Sequence, residues 1–362
     1  TADFTADLRL TIYSDHYTEI LASAEQQGVF RAGEEGVLEL YFPKCSIVPG
    51  ERLRIQFGFA SVSGEGALLI ASGSRYGGCM IDGSAYKGAA AFEILSEKPS
   101  LSFKLLAIGG PFAAFSLLFM LLWNRKWEEC VGLSMFAIVS LLYAAGLFDK
   151  LPAGMILVYV SAGIAFFASI YLFHKKKIQV KSLYSPALIV YGLLCVLIVL
   201  NCRGAWFARW DEYSHWGLAA KDMFYFDSFA KHVNTTVLIP RYVPFATLAE
   251  YFFLFANGLF SQELVYIAFQ IALLNALIVV CSGKRGFNLV PAAAIMVLLP
   301  VIFFRDIYNC IYVDSMLAVF TAYVLICYYT EGLKGFNLLR ILGGLFALTL
   351  TKDMGMVIAG LL

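Results

Sequence analysis

From Leu101 onward the chain is a succession of apolar runs, each near the ~20 residues that a helix needs to cross the hydrocarbon core of a bilayer. They read at about 102–123, 130–148, 153–173, 183–201, 264–281, 288–304, 312–329 and 336–351, and 353–362 begins another. Hydrocarbon offers no partner for a backbone N–H or C=O, so runs this apolar are confined to helices packed as a bundle. Composition agrees. The 362 residues are 60% hydrophobic and 15% charged, with a mean hydropathy of +0.74, whereas soluble domains carry about 25% charge. A net charge of +1 gives no bulk electrostatic reason to expect nucleic acid. The expected fold class is a mostly α, polytopic transmembrane helical bundle.

Residues 1–98 are of a different kind. Leu8–Tyr13, Gly36–Phe42, Arg52–Phe57 and Ala67–Ala71 are short segments, several of them alternating, rich in β-branched or aromatic residues. Turn clusters such as Val48–Glu51 and Ser61–Gly66 separate them. That pattern predicts a small β-sandwich, serving as a spacer or, by fold-level analogy alone, as a carbohydrate binder. The eight cysteines show no Cys-x-x-Cys spacing, which argues against a zinc or redox motif. Cys45 and Cys79 lie in this part, and a disulfide and a pair of free thiols are both open to them. The chain begins at Thr1 and stops within the apolar run Val357–Leu362, so an anchor before it and further spans after it are expected.

Basic residues orient the bundle. Asn124–Trp127 follows the first span and His174–Lys177 the third, so both fall on one side, the cytoplasmic one by the positive-inside rule. The β-domain and the loop after the fourth span then lie outside. Tyr242–Phe260 decides the rest. It is apolar, but Glu250 stands near its middle, and a mid-span glutamate costs on the order of 2–3 kcal/mol or more. It is therefore read as an interfacial or re-entrant helix rather than a crossing, which returns Lys284, Arg285, Lys334 and Arg340 to the cytoplasmic side. On that reading Arg305, Asp306, Asp314, Lys352 and Asp353 gather at the outer face with Asp211. Taken singly, each fits snorkelling or a structural ion pair; their gathering at one face points to a shared cavity. The organisation expected is a β-domain at 1–98, four spans at 99–201 and a membrane module at 202–362 that opens with an outer loop at 202–241.

That loop carries Trp206-Phe-Ala-Arg-Trp-Asp-Glu-Tyr-Ser-His-Trp216. Its three tryptophans suit a membrane–water boundary, and the adjacent Asp211 and Glu212 are expensive there unless they are used. Were the segment α-helical, Asp211 and His215 at i, i+4 would share a face and could hold a divalent metal, with Asp314 joining them. A histidine donating to the aspartate is the simpler reading, and no cofactor is required by these residues.

The ordered set resembles the membrane-embedded glycosyltransferases of the GT-C superfamily, among them the protein O-mannosyltransferases and the lipid A aminoarabinose transferase. Trp210-Asp-Glu-Tyr213 is similar to the Asp-Glu of that family's first outer loop. Pro240-Arg-Tyr-Val-Pro244, leading to Asn257-Gly258, is similar to its interfacial proline segment. Tyr312-Val-Asp-Ser-Met-Leu317 matches its acidic residue at the start of an outward span, and Leu350-Thr-Lys-Asp353 its Thr-Lys. The likeness covers about 200–362. The family's double proline is only Val243-Pro244 here, and three spans and a β-domain precede the usual first helix.

The resemblance implies inverting transfer of a sugar from a polyprenyl-phosphate donor to a glycan, lipid or protein acceptor outside a bacterial-type plasma membrane. Asp211 is then the catalytic base. Glu212, His215 and Asp314 would serve the acceptor or a cation, and Arg241, Arg305 and Lys352 the donor's lipid phosphate. The competing reading is a transporter or flippase for lipid-linked glycans. Intramembrane charge suits that too, but transporters commonly show internal repeats and charges near the midplane, and neither is visible.

Overall fold

A computed structural model describes residues 4–14, 20–30, 53–63, 71–72, 79–81, 84–86, 88–89, 101–177, 183–229 and 243–362. The chain divides into two compact units, Thr1–Phe92 and Glu93–Leu362.

In the first unit, β1 (Phe4–Ser14) is flanked by β2 (Ile20–Phe30) and β3 (Leu53–Ser63), all antiparallel. The register sets Leu10 opposite both Ala24 and Phe57, and Ile12 opposite both Ala22 and Ile55, so alternate apolar positions of the three strands come into line. Two short ladders accompany this sheet: β4 (Ala71–Ser72) with β7 (Gly88–Ala89), and β5 (Cys79–Ile81) with β6 (Ser84–Tyr86). Among the described residues this is a sheet and two strand pairs, short of the two face-packed sheets that define a sandwich. Residues 36–42, 45 and 67–70 lie outside the described residues. The expectation omitted β2, whose alanines, glutamines and glycine carry little strand propensity. It is a strand because it pairs with β1 from Phe4↔Phe30 to Tyr13↔Ile20.

The second unit is helical. Among the described residues, six of its helices are long and apolar enough to cross a membrane: α1 (Leu101–Trp123), α2 (Trp127–Gly146), α3 (Leu151–Lys175), α7 (Gln262–Leu277, extended by a 3₁₀ turn to Cys281), α8 (Leu289–Phe303, preceded by a 3₁₀ turn from Gly286) and α9 (Val313–Glu331). The runs expected at 183–201 and 336–351 form the shorter helices α4 (Pro186–Asn201) and α10 (Gly335–Thr349). At 1.5 Å per residue these span only about 22–24 Å. The remaining helices are α5 (Gly217–Phe226), α6 (Phe245–Asn257) and α11 (Asp353–Leu361). Helix starts follow local chemistry. Ser185 caps α4 by accepting from Ala187 N–H, with Pro186 at the first helical position, and Ser261 caps α7 by accepting from Leu264 N–H. Glu129 reaches back to Lys126 N–H at 3.2 Å, which begins α2 three residues before the expected position 130.

The bundle has two chemically distinct ends. At one, Arg125 forms a bidentate pair with Glu331, Lys176 Nζ donates to Leu121 C=O at 2.6 Å, and Ser282 donates to Glu129 Oε1 at 2.8 Å. These ties bring Arg125, Lys176 and the Ser282–Arg285 turn to the same end. Ser185 joins them by donating to Glu128 Oε1 at 2.9 Å. The segments at 201–212, 262–263, 306–314 and 350–353 meet at the other end.

Helix α6 begins and ends on that second side. Its first N–H, on Phe245, donates to Leu350 C=O at 2.7 Å, and it closes at Gly258 (φ +76°) just before Ser261 and Gln262. It therefore re-enters rather than crosses. It does not lie along the bundle surface. Every residue from Phe245 to Leu254 is buried, and Phe245 packs edge-on against Phe320 at a centroid distance of 4.9 Å. Glu250 is 1% exposed, and its Oε2 has no hydrogen-bond partner among the described residues. Elsewhere, polar side chains lock helices together where apolar packing gains little over lipid. Ser116 and Ser134 pair at 2.8 Å across α1 and α2, and Tyr191 donates to Asn275 Oδ1 at 2.7 Å across α4 and α7.

Candidate functional site

After α4 the chain turns at Gly204 (φ +70°) and is pinned to the start of α7 by two backbone donors. Gly204 N–H reaches Glu263 Oε2 at 3.1 Å and Phe207 N–H reaches Gln262 Oε1 at 2.6 Å. A helix then starts at Trp210 and widens at once into a π-helical turn over Glu212–Trp216 before continuing as α5. Such turns hold an extra residue and recur where a side chain has to be re-aimed.

Glu212 explains the turn. Its carboxylate is fully buried and accepts from four donors on three segments: Ala208 N–H and Arg209 N–H at 3.0 Å, Tyr266 O–H at 2.8 Å and Ile311 N–H at 3.3 Å. The pre-helical loop, α7 and the 307–311 segment are clasped by one side chain. Gly217 permits the closure, since a Cβ there would stand 2.4 Å from the Phe207 ring and 2.7 Å from Glu212 C=O.

Asp211, the preceding residue, is exposed. Its charge acts on Tyr312: burial first, then the Asp211 carboxylate, push the Tyr312 phenol up. The same ring lies 5.9 Å from the Arg209 guanidinium, which pairs with Asp306 at 3.1 Å. Two residues on, Asp314 accepts from Lys352 Nζ at 2.6 Å. Thr351 sets up that lysine. Its hydroxyl donates to Ala347 C=O at 2.7 Å and ends α10, leaving Lys352 in extended backbone at the start of α11.

The structure thus brings Asp211, Glu212, Asp314 and Lys352 to one end of the bundle. Arg305 is also at this end, exposed, one residue from Asp306. Arg241 lies outside the described residues. His215 is buried, stacked edge-on against Trp216 at 4.3 Å, and burial pulls its imidazole down to about 4. Asp211 and His215, expected to share a face, differ in burial: the first is exposed and the second lies buried within the π turn. Among the described residues, no three His, Cys, Asp or Glu side chains stand together as a metal set. Three of the four donors to Glu212 meet Oε2 and one meets Oε1, so the side chain ties the backbone of Arg209, beside Asp211, to α7 and the 307–311 segment.

Two participants escaped the sequence reading. Arg209 lies inside the tryptophan-rich stretch but drew no role, and Tyr266 is a hydroxyl hidden in an apolar run. No family model, no curated protein and no solved structure matches this chain.

Proposed function

We propose that this membrane protein is a glycosyltransferase of the GT-C type, moving a sugar from a polyprenyl-phosphate carrier to an acceptor hydroxyl on a glycan, lipid or protein. The observation that supports the reading is an exposed acid, Asp211, acting on Tyr312 beside Arg209, at the same end as the Lys352–Asp314 pair. In the proposed step the acceptor oxygen attacks the anomeric carbon and Asp211 takes the hydroxyl proton. The bond from that carbon to the phosphate oxygen breaks with its electron pair, and the carrier phosphate leaves as an anion met by cations. Inversion follows from the single displacement. The basic end faces the cytoplasm on this reading. Asp211 and the N-terminal domain, as a β-sandwich, face outward from a bacterial-type plasma membrane.

A second reading, transport or flipping of a lipid-linked glycan, is favoured by one observation: a re-entrant helix carrying the buried Glu250. One assay separates the two. Purified protein given a polyprenyl-phosphate sugar and acceptor should release polyprenyl phosphate, and Asp211→Asn should lower that release by about 10²-fold or more. Release that survives Asp211→Asn excludes the catalytic assignment. Movement of the lipid-linked sugar across sealed vesicles without any product supports transport.

A further inference from the structure

Toward the basic end of the bundle, away from Asp211, stands a buried cation that no carboxylate bonds. Arg340 lies in the second turn of α10 and is 2% exposed. A guanidinium keeps its charge at any pH a protein meets. Its Nη1 donates to Asn337 Oδ1 at 3.3 Å, while Nε and Nη2 meet no acceptor among the described residues. Those two nitrogens form the edge with which an arginine grips an anion side-on. The hydroxyl of Tyr323 on α9 is likewise buried and without a hydrogen-bond partner among the described residues, and the ring centroid lies 5.7 Å from the guanidinium carbon. Nearby acids are engaged elsewhere. Glu331 forms the bidentate pair with Arg125, and the two oxygens of Glu129 accept from Ser282 and from Lys126 N–H. Glu129 acts on Arg340 through space without bonding to it. Arg125 lies over the same Phe336 ring as Arg340, 5.7 Å from its centroid against 6.0 Å, which places a second positive charge nearby. A buried charge in this position is costly unless an anion joins it.

We infer that the Nε–Nη2 edge of Arg340 and the hydroxyl of Tyr323 bind a small monovalent inorganic anion, chloride or one of its size, between α9 and α10. The surroundings select for size and charge. Phe136 packs edge-on against Tyr323 at 5.3 Å, and Phe336 covers the guanidinium, both rings buried. An ion entering there gives up its water, at a cost that rises with the square of its charge. A phosphate has more charge and more oxygens to satisfy than one fork and one hydroxyl can serve. A lipid headgroup stays at the surface, which neither donor reaches. The site does not rest on the transferase reading.

Melts of the detergent-purified full chain in chloride and in gluconate, at one ionic strength, test it. Chloride should raise Tm by about 3 °C over gluconate, an anion too bulky to enter. Arg340→Met should abolish the difference and melt in gluconate at or above wild type, a gain that misfolding cannot produce. Tyr323→Phe should keep the chloride effect but move its midpoint about fivefold higher. Equal wild-type melts in the two salts, or a chloride effect that survives Arg340→Met, would overturn the site. Arg340→Met melting well below wild type in gluconate would show a guanidinium already satisfied by the protein, and would sink it too. Inorganic phosphate or phosphatidylglycerol micelles raising Tm where chloride does not would replace it with a phosphate site, free or lipid-borne.

Discussion

Replacing Glu212 tests whether the clasp organises this end of the protein. In Glu212→Ala, Ala208 N–H and Arg209 N–H lie near solvent and can turn to water, and Tyr266 O–H keeps Trp206 C=O at 3.1 Å, but Ile311 N–H, in a residue 0% exposed, is left without an acceptor. One orphaned buried donor and the lost charge-assisted bond from Tyr266 cost about 1–3 kcal/mol each, so the expected loss is about 2–6 kcal/mol. Against a net stability of about 5–15 kcal/mol this is severe. It corresponds to a fall in Tm of at least about 2–3 °C in a chain this long. Glu212→Gln keeps one acceptor oxygen but must turn its NH2 toward a donor, and should fall between the two. Tyr266→Phe alone removes the hydroxyl together with its need for a partner and should cost about 1 kcal/mol. Added to Glu212→Ala it should cost less than it does alone, because its carboxylate partner is already gone and only the bond to Trp206 C=O remains. Thermal melts of the four variants in one detergent decide the matter. Melts of Glu212→Ala and Glu212→Gln within about 1 °C of wild type, or strict additivity with Tyr266→Phe, would refute the clasp.

Three other outcomes are expected. His215 has a folded value near 4 against a free value of 6.5, so the unfolded chain binds the proton first and stability falls as pH drops through that window; melts between pH 6.5 and 5 should lose this slope in His215→Gln, and an unchanged slope would remove histidine as its source. Gly217→Ala should destabilise by about 1–3 kcal/mol, since the new Cβ meets Phe207 at 2.4 Å, and a wild-type melt would show that the ring yields freely. Single cysteines replacing Lys126 and Lys284 should label with an impermeant reagent from the same side, and one replacing Trp210 from the opposite side; labelling of Lys284→Cys together with Trp210→Cys would overturn the re-entrant path of α6.

Much of the bundle was legible because hydrocarbon imposes a length. Apolar runs near twenty residues announce helices, and their starts are marked by short-range chemistry such as Ser185-Pro186 and Ser261. The mid-segment Glu250 was enough to deny 242–260 a crossing, and with it to place Lys284 and Arg285 beside the other basic turns. Less was legible at the site. Asp211 and Glu212 are neighbours of the same chemistry, yet one is exposed and the other is buried and accepts from four donors.

What the order of residues determined by itself was a chain of apolar helices suited to a membrane, their positions to within a few residues, and the segregation of basic turns from the acidic stretch. Those follow from transfer energies and capping, which act within a few residues of one another. What only the tertiary structure decided was which groups meet: Glu212 with Tyr266 and Ile311, Arg209 with Asp306, Lys352 with Asp314, and α6 sunk within the bundle. In a soluble helix the apolar face points to its neighbours. In a bilayer the lipid-facing and protein-facing sides are both apolar, so the pattern along the chain does not record the partner, and long-range contacts alone supply it.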